Sequence, residues 1–479
     1  MNQSVRQLFV VVVAVLAFSG RLAAAEKPNI LFIFADDQCF QTQGHLGLNK
    51  IATPHLDQLA KDGLNFSRAY NMGSWSGAVC VASRTMLNTG RFIWSANAIY
   101  KDTEKERQAG RFWSEYLKQA GYDTYMTGKW HVRADAKKAF DFATNVRGGM
   151  PNQTPQGYNR PLPNEPDPWD PADPKFEGFW KGGKHWSEVV ADDAVGFLKQ
   201  ASQDDDPFFM YIAFNAPHDP RQAPQSYIDR YPADKMKLPV NFLSEYPFKV
   251  EMGCPPSLRD ERLAPFPRTR EAVRIHRQEY YAIITHMDDQ IGRVLQALKD
   301  SGKSETTYIF FTADHGLAVG QHGLFGKQNM YDHSVRVPFL VVGPGVAAGE
   351  SREQEIYLQD IMPTTLQLAG IDQPDHVEFK SLMPLIEGSD EKPYDAIYGA
   401  YLQKQRMVTL DGYKLIMYPE AQAIRLYHVQ DDPDETVDLA EQPEQLPRMK
   451  RMFERFLRLQ DEMDDDLDVK SVFPQLQDA

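Results

Sequence analysis

Three stretches of this chain are apolar almost without interruption, and each stops abruptly at polar side chains. Asn29 to Ala35 runs into Asp36-Asp37, Pro207 to Phe214 into Asn215-Ala216-Pro217-His218, and Thr306 to Thr312 into Ala313-Asp314-His315-Gly316. A strand with one wet face alternates apolar and polar residues; near-continuous runs mark strands covered on both faces, as in a parallel sheet between helical layers. Asp123 to Gly128 and Val337 to Val342 read as further strands. Helical segments lie between them. Thr53 caps one, with Pro54 in its first turn and Gly63 closing it; Ala82 to Thr89 precedes Gly90, and Trp113 to Ala120 precedes Gly121. Glu188 to Ala201 and Glu271 to Lys299 are longer, and Tyr357 to Ala369 stops at Gly370. The alternation predicts an α/β fold, a mainly parallel sheet sandwiched by helices. Ligands of such sheets gather beyond the carboxyl ends of the strands, where Asp36, Asp37, His218, Asp314 and His315 stand.

The texture changes after about residue 390. Ile397–Leu402, Arg406–Leu410, Tyr413–Tyr418 and Arg425–Val429 read as short strands, Gln442–Met463 as a helix, and Asp464-Asp465-Asp466 as an acidic tail. This predicts a small α+β domain over 389–479 after a main domain over 26–388. The Pro- and Gly-rich segments 145–186 and 219–268 read as loops that shape a binding site. Residues 1–25 read as a secretory signal: Arg6, an apolar run from Leu8 to Phe18 too short to span a bilayer, and Ala23-Ala24-Ala25 before Glu26. The expectation is an exported protein, periplasmic or secreted, with no membrane span after cleavage. Three cysteines, Cys39, Cys80 and Cys254, do not make a disulfide scaffold; Cys39 and Cys254 are expected as free buried thiols.

A formal net charge of −14 argues against a nucleic-acid partner and requires any anion site to be a local positive pocket. Asp36, Asp37 and Asp314 would bring three carboxylates to one point, a costly arrangement unless a cation sits among them. Oxygen donors suggest calcium or magnesium, with manganese less expected. Cys80 stands ahead of the helix expected at Ala82, facing unpaired N–H groups, with Arg84 one turn in as an anion partner. Lys129 and His131, two residues apart on an extended segment, would point the same way.

Cys80-Val81-Ala82-Ser83-Arg84 resembles the signature of the formylglycine-dependent (type I) sulfatases of the alkaline phosphatase superfamily. Asp36-Asp37, Gly128-Lys129-Trp130-His131, Asn215-Ala216-Pro217-His218, Asp314-His315-Gly316 and Gly326-Lys327 follow that family's order. The resemblance implies that a separate maturation enzyme oxidises Cys80 to formylglycine (3-oxoalanine). It implies a cation, usually calcium, on Asp36, Asp37, Asp314, His315 and residue 80 itself. His315 is the less common variant there, and imidazole suits a hard cation poorly. Arg84, Lys129, His131, His218 and Lys327 would bind sulfate and move protons, with His218 or Lys327 protonating the leaving alcohol and His131 taking the proton that releases sulfate. Arg336, in Tyr331–Pro338, reads as structural.

The expected substrate is a sulfated carbohydrate, with Tyr158, Trp169, Trp180 and Trp186 available either to stack on sugar rings or to pack the loops. A phosphate or phosphonate ester hydrolase of the same superfamily, a choline or aryl sulfatase, and a calcium-stabilised carbohydrate-binding protein are the competing readings.

Overall fold

A computed structural model describes residues 27–477; the proposed signal lies outside them. The principal strands are β1 (Asn29–Asp36), β2 (Leu64–Phe66), β3 (Gly73–Ser74), β4 (Asp123–Lys129), β5 (Phe142–Arg147), β6 (Phe208–Pro217), β7 (Thr307–Ala313), β8 (Phe339–Val342), β9 (Glu350–Arg352), β10 (Ile397–Tyr401), β11 (Gln405–Leu410), β12 (Tyr413–Tyr418) and β13 (Ala423–Tyr427). The principal helices are α1 (Pro54–Asp62), α2 (Val79–Thr89), α3 (Trp113–Gln119), α4 (Trp186–Ala201), α5 (Arg270–Asp300), α6 (Ile361–Leu368) and α7 (Leu446–Glu462).

The large sheet has the order β9-β2-β8-β7-β1-β6-β4-β5. Every strand in it is parallel to the others except β8. Ile33 of β1 lies opposite Phe311 of β7 and Ile212 of β6, and Ile30 to Ala35 are wholly buried, as their unbroken apolar run requires. Helices α1, α4 and α5 pack together on one face of the sheet, and α2, α3 and α6 on the other. Trp113 anchors the second layer. Its ring lies 5.1 Å from Phe32 and 4.7 Å from Phe209, and its indole N–H donates to Thr365 Oγ1 at 2.7 Å. Truncating such a residue to alanine costs about 3–5 kcal/mol.

Helix α1 begins where expected, but Thr53 does not cap it. The Thr53 hydroxyl is engaged with Asp57 Oδ1 and the Gly44 N–H. The carboxylate of Asp288, on α5, accepts the His55 and Leu56 N–H groups at 3.0 and 2.9 Å instead, so the cap comes from a neighbouring helix. Tyr357 and Asp360 form a capping box around a tight turn, which delays α6 to Ile361.

The C-terminal strands form an antiparallel meander whose order is β13-β12-β11-β10, and β3 adds to its edge parallel to β10. Its core includes Met72, Val79, Met86 and Tyr246 beside Tyr398, Ile416 and Phe453. The C-terminal unit is therefore built partly from residues before 100. Nor is Asp464–Asp466 only a solvated tail: Asp465 accepts from Arg406 at 2.6 and 2.7 Å and from the Tyr398 hydroxyl at 2.8 Å.

Candidate active site

Five neighbouring parallel strands, β7, β1, β6, β4 and β5, end on the same side of the large sheet. They deliver Asp314 and His315, Asp36 and Asp37, His218, Lys129, and Arg147 respectively. Helix α2 brings Cys80 and Arg84 to this row. The helix starts at Val79, three residues earlier than expected, so Cys80 lies inside its first turn rather than ahead of it. Gly90 ends it as predicted, at φ 69°, with its N–H on Met86 O at 2.8 Å.

The ligand atoms of Asp36, Asp37, Cys80 and Asp314 all lie within 4.8 Å of one another. Cys80 Sγ is 3.3 Å from Asp36 Oδ1 and 3.6 Å from Asp37 Oδ1. Three cations oppose the three carboxylates. Lys129 Nζ donates to Asp36 Oδ2 at 2.5 Å, Lys327 Nζ to Asp37 at 2.5 and 2.7 Å, and Arg84 Nε to Asp314 Oδ2 at 2.8 Å. Lys327 also reaches Cys80 Sγ at 3.1 Å. Arg84 is wholly buried, and its Nη2 has no hydrogen-bond partner. Behind this cluster the Tyr280 hydroxyl donates to Asp37 O at 2.7 Å, and Asn71 Nδ2 to Asp314 O at 2.8 Å.

Burial and neighbouring acids push the Asp36 carboxyl up despite Lys129 and Arg84. Burial, opposed by Lys327, takes Asp37 up to about 8. Three carboxylates converging on one buried point offer oxygen donors that suit a hard divalent ion. The residues therefore fit the cation that the sequence implies. Burial and the acids also push the Cys80 thiol far above its usual range, so it is not an activated thiolate. That fits a residue that reacts after conversion, not as cysteine.

The three histidines differ. His218 Nδ1 lies 2.8 Å from Asp219 O; a carbonyl only accepts, so Nδ1 carries the proton and Nε2 offers a lone pair, 3.5 Å from both Asp37 Oδ2 and Arg259 Nη2. His315 is fixed the same way by Gly316 O at 2.8 Å, and its buried Nε2 is unpartnered. His315 stands beside the four-residue cluster and is not one of its members. For His131, the extended geometry expected with Lys129 does not hold. Strand β4 ends at Lys129, and His131 turns into the left-handed region at φ 54°. It remains within the field of the site: burial first, then Lys129, Arg84 and Lys327, take it down to about 3. It is neutral near pH 7, well below the ordinary titration range. Gly128 is required just before Lys129, because at φ 91° a Cβ would lie 1.8 Å from Ala213 O.

Sequence reasoning missed Arg147, Arg259 and Asp219. Arg147 ends a strand with no apolar run (Phe-Ala-Thr-Asn-Val-Arg) inside a stretch read partly as loop. Arg259 pairs with both Asp219 and Asp260 next to His218. Of the four aromatic candidates, Trp169 is buried against Phe176, with ring centroids 4.5 Å apart. Trp186 is half-buried beneath the Arg147 guanidinium at 4.3 Å, and Tyr158 lies beneath Arg262 at 4.7 Å. Cys39 and Cys254 are free and buried, as expected. Among the described residues no helix is long and apolar enough to cross a membrane.

Comparison with known proteins agrees with this geometry. Residues 28–371 match the sulfatase family, and residues 320–462 match the N-sulphoglucosamine sulphohydrolase C-terminal family. An arylsulfatase of Clostridium perfringens is 28% identical over 88% of this chain and 92% of its own. An ulvan-active sulfatase of Formosa agariphila is 30% identical over 76% of this chain and 66% of its own. An N-acetylglucosamine-6-O-sulfatase of Bacteroides thetaiotaomicron is 25% identical over 86% and 80%. Two solved structures share the fold. BT4656 in complex with its substrate D-glucosamine-2-N,6-O-disulfate has a TM-score of 0.67 at 22% identity, covering 93% of this chain and 100% of the other. A phosphonate monoester hydrolase of Silicibacter pomeroyi has a TM-score of 0.72 at 21% identity, covering 92% and 96%. With a family match over most of its length and the family's ordered polar residues gathered at one set of strand tips, the chain belongs to the sulfatase family of the alkaline phosphatase superfamily and is a sulfuric ester hydrolase.

Proposed function

We propose that the protein is an exported sulfatase that releases inorganic sulfate from a sulfated carbohydrate, using a formylglycine made from Cys80 by a maturation enzyme and a bound divalent cation, calcium first. The observation that carries this reading is the buried cluster of Asp36, Asp37, Cys80 and Asp314, with Arg84, Lys129 and Lys327 around it. Asp36, Asp37 and Asp314 would hold the cation, with the Nε2 lone pair of His315 available beside them. Residue 80, oxidised to the aldehyde and hydrated by water, would supply a hydroxyl nucleophile, and the cation a Lewis acid. The chain's own side chains do the rest. Arg84, with an unmet Nη2, Lys129 and Lys327 bind the sulfate oxygens and spread the charge that develops on them. His218 faces the site with Nε2 and, once protonated there, serves the leaving alcohol oxygen. His131, neutral near pH 7, would take the proton that the hydrated residue 80 loses as sulfate leaves.

The leader-like residues 1–25 support export. The ulvan-active and N-acetylglucosamine-6-O relatives support a carbohydrate substrate, as does the half-buried Trp186 at the rim. The fold shared with a phosphonate monoester hydrolase gives phosphonate esters the place of second reading. A panel of sulfated sugars, 4-nitrophenyl sulfate and a phenyl phosphonate ester, assayed with Cys80→Ala as control, separates them. Sulfate release from a sugar that Cys80→Ala abolishes is the expected result. Faster cleavage of the phosphonate than of every sulfate would sink the proposal, as would an unmodified Cys80 thiol in active enzyme.

A further inference from the structure

Arg84, Lys129 and Lys327 match Asp36, Asp37 and Asp314 one for one. Arg147, at the fifth strand tip, is a fourth cation with no carboxylate left for it. It stands opposite Lys129 in the β4–β5 register, and its carbonyl accepts the Trp130 N–H at 2.8 Å. Among the described residues its guanidinium has neither an ion-pair nor a hydrogen-bond partner, and its Nη1 is fully shielded from water. Burial takes it down to about 10, and the one carboxylate whose field reaches it is Asp36, already held by Lys129. Trp186 accounts for the guanidinium face at 4.3 Å, but stacking leaves the N–H edge unmet. Lys181 Nζ lies 5.1 Å from the same ring and donates to Asn145 Oδ1. A cation bound by the three aspartates would only enlarge the positive surplus.

We infer that Arg147, seated on Trp186, forms a subsite for a second anionic group of the substrate, a carboxylate or a second sulfate near the sulfate being removed. The inference rests on the sulfatase reading of the site and narrows its substrate to sugars carrying two negative charges. A planar guanidinium with a free edge takes a carboxylate or sulfate through paired N–H bonds, which a hydroxyl cannot match.

The test compares D-glucosamine 6-O-sulfate with D-glucosamine 2-N,6-O-disulfate and with a 2-O-sulfated hexuronic acid. Turnover is followed on the mature calcium-loaded enzyme, and binding by calorimetry on full-length Cys80→Ala protein. The doubly charged sugars should be preferred, and Arg147→Met, which keeps the packing on Trp186, should shrink that preference about 10- to 100-fold. Arg147→Lys should restore part of it. Which doubly charged probe loses more tells a carboxylate from a sulfate. A preference unmoved by Arg147→Met, or no preference in the parent protein, would overturn the inference. Binding preference without turnover of any sulfate would leave the subsite standing and count against the proposed function instead.

Discussion

Two buried lysines, Lys327 and Lys414, do opposite jobs with the same chemistry. Lys414, in β12, lies between Asp332 and Glu435, and Asp332 also receives Arg336 at 3.2 Å while Glu435 accepts the Asp332 N–H at 2.7 Å. Against burial, Lys414 and Arg336 hold the Asp332 carboxyl below the usual range, while burial takes Glu435 up to about 7 despite Lys414. That network closes: two cations, two anions, and the C-terminal unit tied to the catalytic half. At Lys327 the account stays open. Arg84 Nη2 and His315 Nε2 are buried with no hydrogen-bond partner, and the Cys80 thiol is crowded by acids. Buried polar groups that are all partnered hold a fold together; those left unpartnered await ligands.

The contrast breaks if the two lysines respond alike to substitution. Lys414→Met leaves Asp332 and Glu435 without their shared partner and should cost about 3–5 kcal/mol in urea unfolding. Lys327→Met, measured in calcium, should cost about 10²- to 10³-fold in kcat/KM, with a smaller loss of stability than Lys414→Met. Chelation sharpens the same point through pH. Asp37 in the folded, cation-free protein holds a proton to about 8, whereas an unfolded aspartate releases it near 3.8. The folded state thus binds the extra proton in that window, and stability of the chelated protein should fall as pH rises, by up to about 1.4 kcal/mol per pH unit. Calcium should flatten that slope, a comparison that urea melts with and without chelator would make. The smallest effect is expected at Asp288→Ala, which removes the cap of α1 far from both lysines. It should cost about 1 kcal/mol in thermal melts and leave kcat/KM unchanged.

What was legible in advance was whatever depends on short-range pattern. Unbroken apolar runs ending at Asp36, His218 and Asp314 announced both the sheet and the edge where its ligands lie. What escaped depends on contacts between distant residues. Arg147 ends a half-polar strand that only pairing with β4 makes regular. The cap on α1 comes from Asp288, more than two hundred residues away. Spacing placed His131 beside Lys129 on one face, but spacing carries no sign of the positive φ that turns it.

Strand β3 lies six residues ahead of Cys80 and pairs with Ala400 and Tyr401. In the finished fold Cys80 is 2% exposed, out of reach of another enzyme's active site. On the proposed maturation of Cys80, the oxidising catalyst would have to act on a chain still being made, before about its last sixth arrives to shut the door. At about 5–20 residues per second, the roughly three hundred residues between them allow on the order of tens of seconds. Fast closure of the C-terminal sheet would then yield a stable, well-formed protein with no activity, and on that reading the yield of active enzyme would follow a race during synthesis as well as final stability.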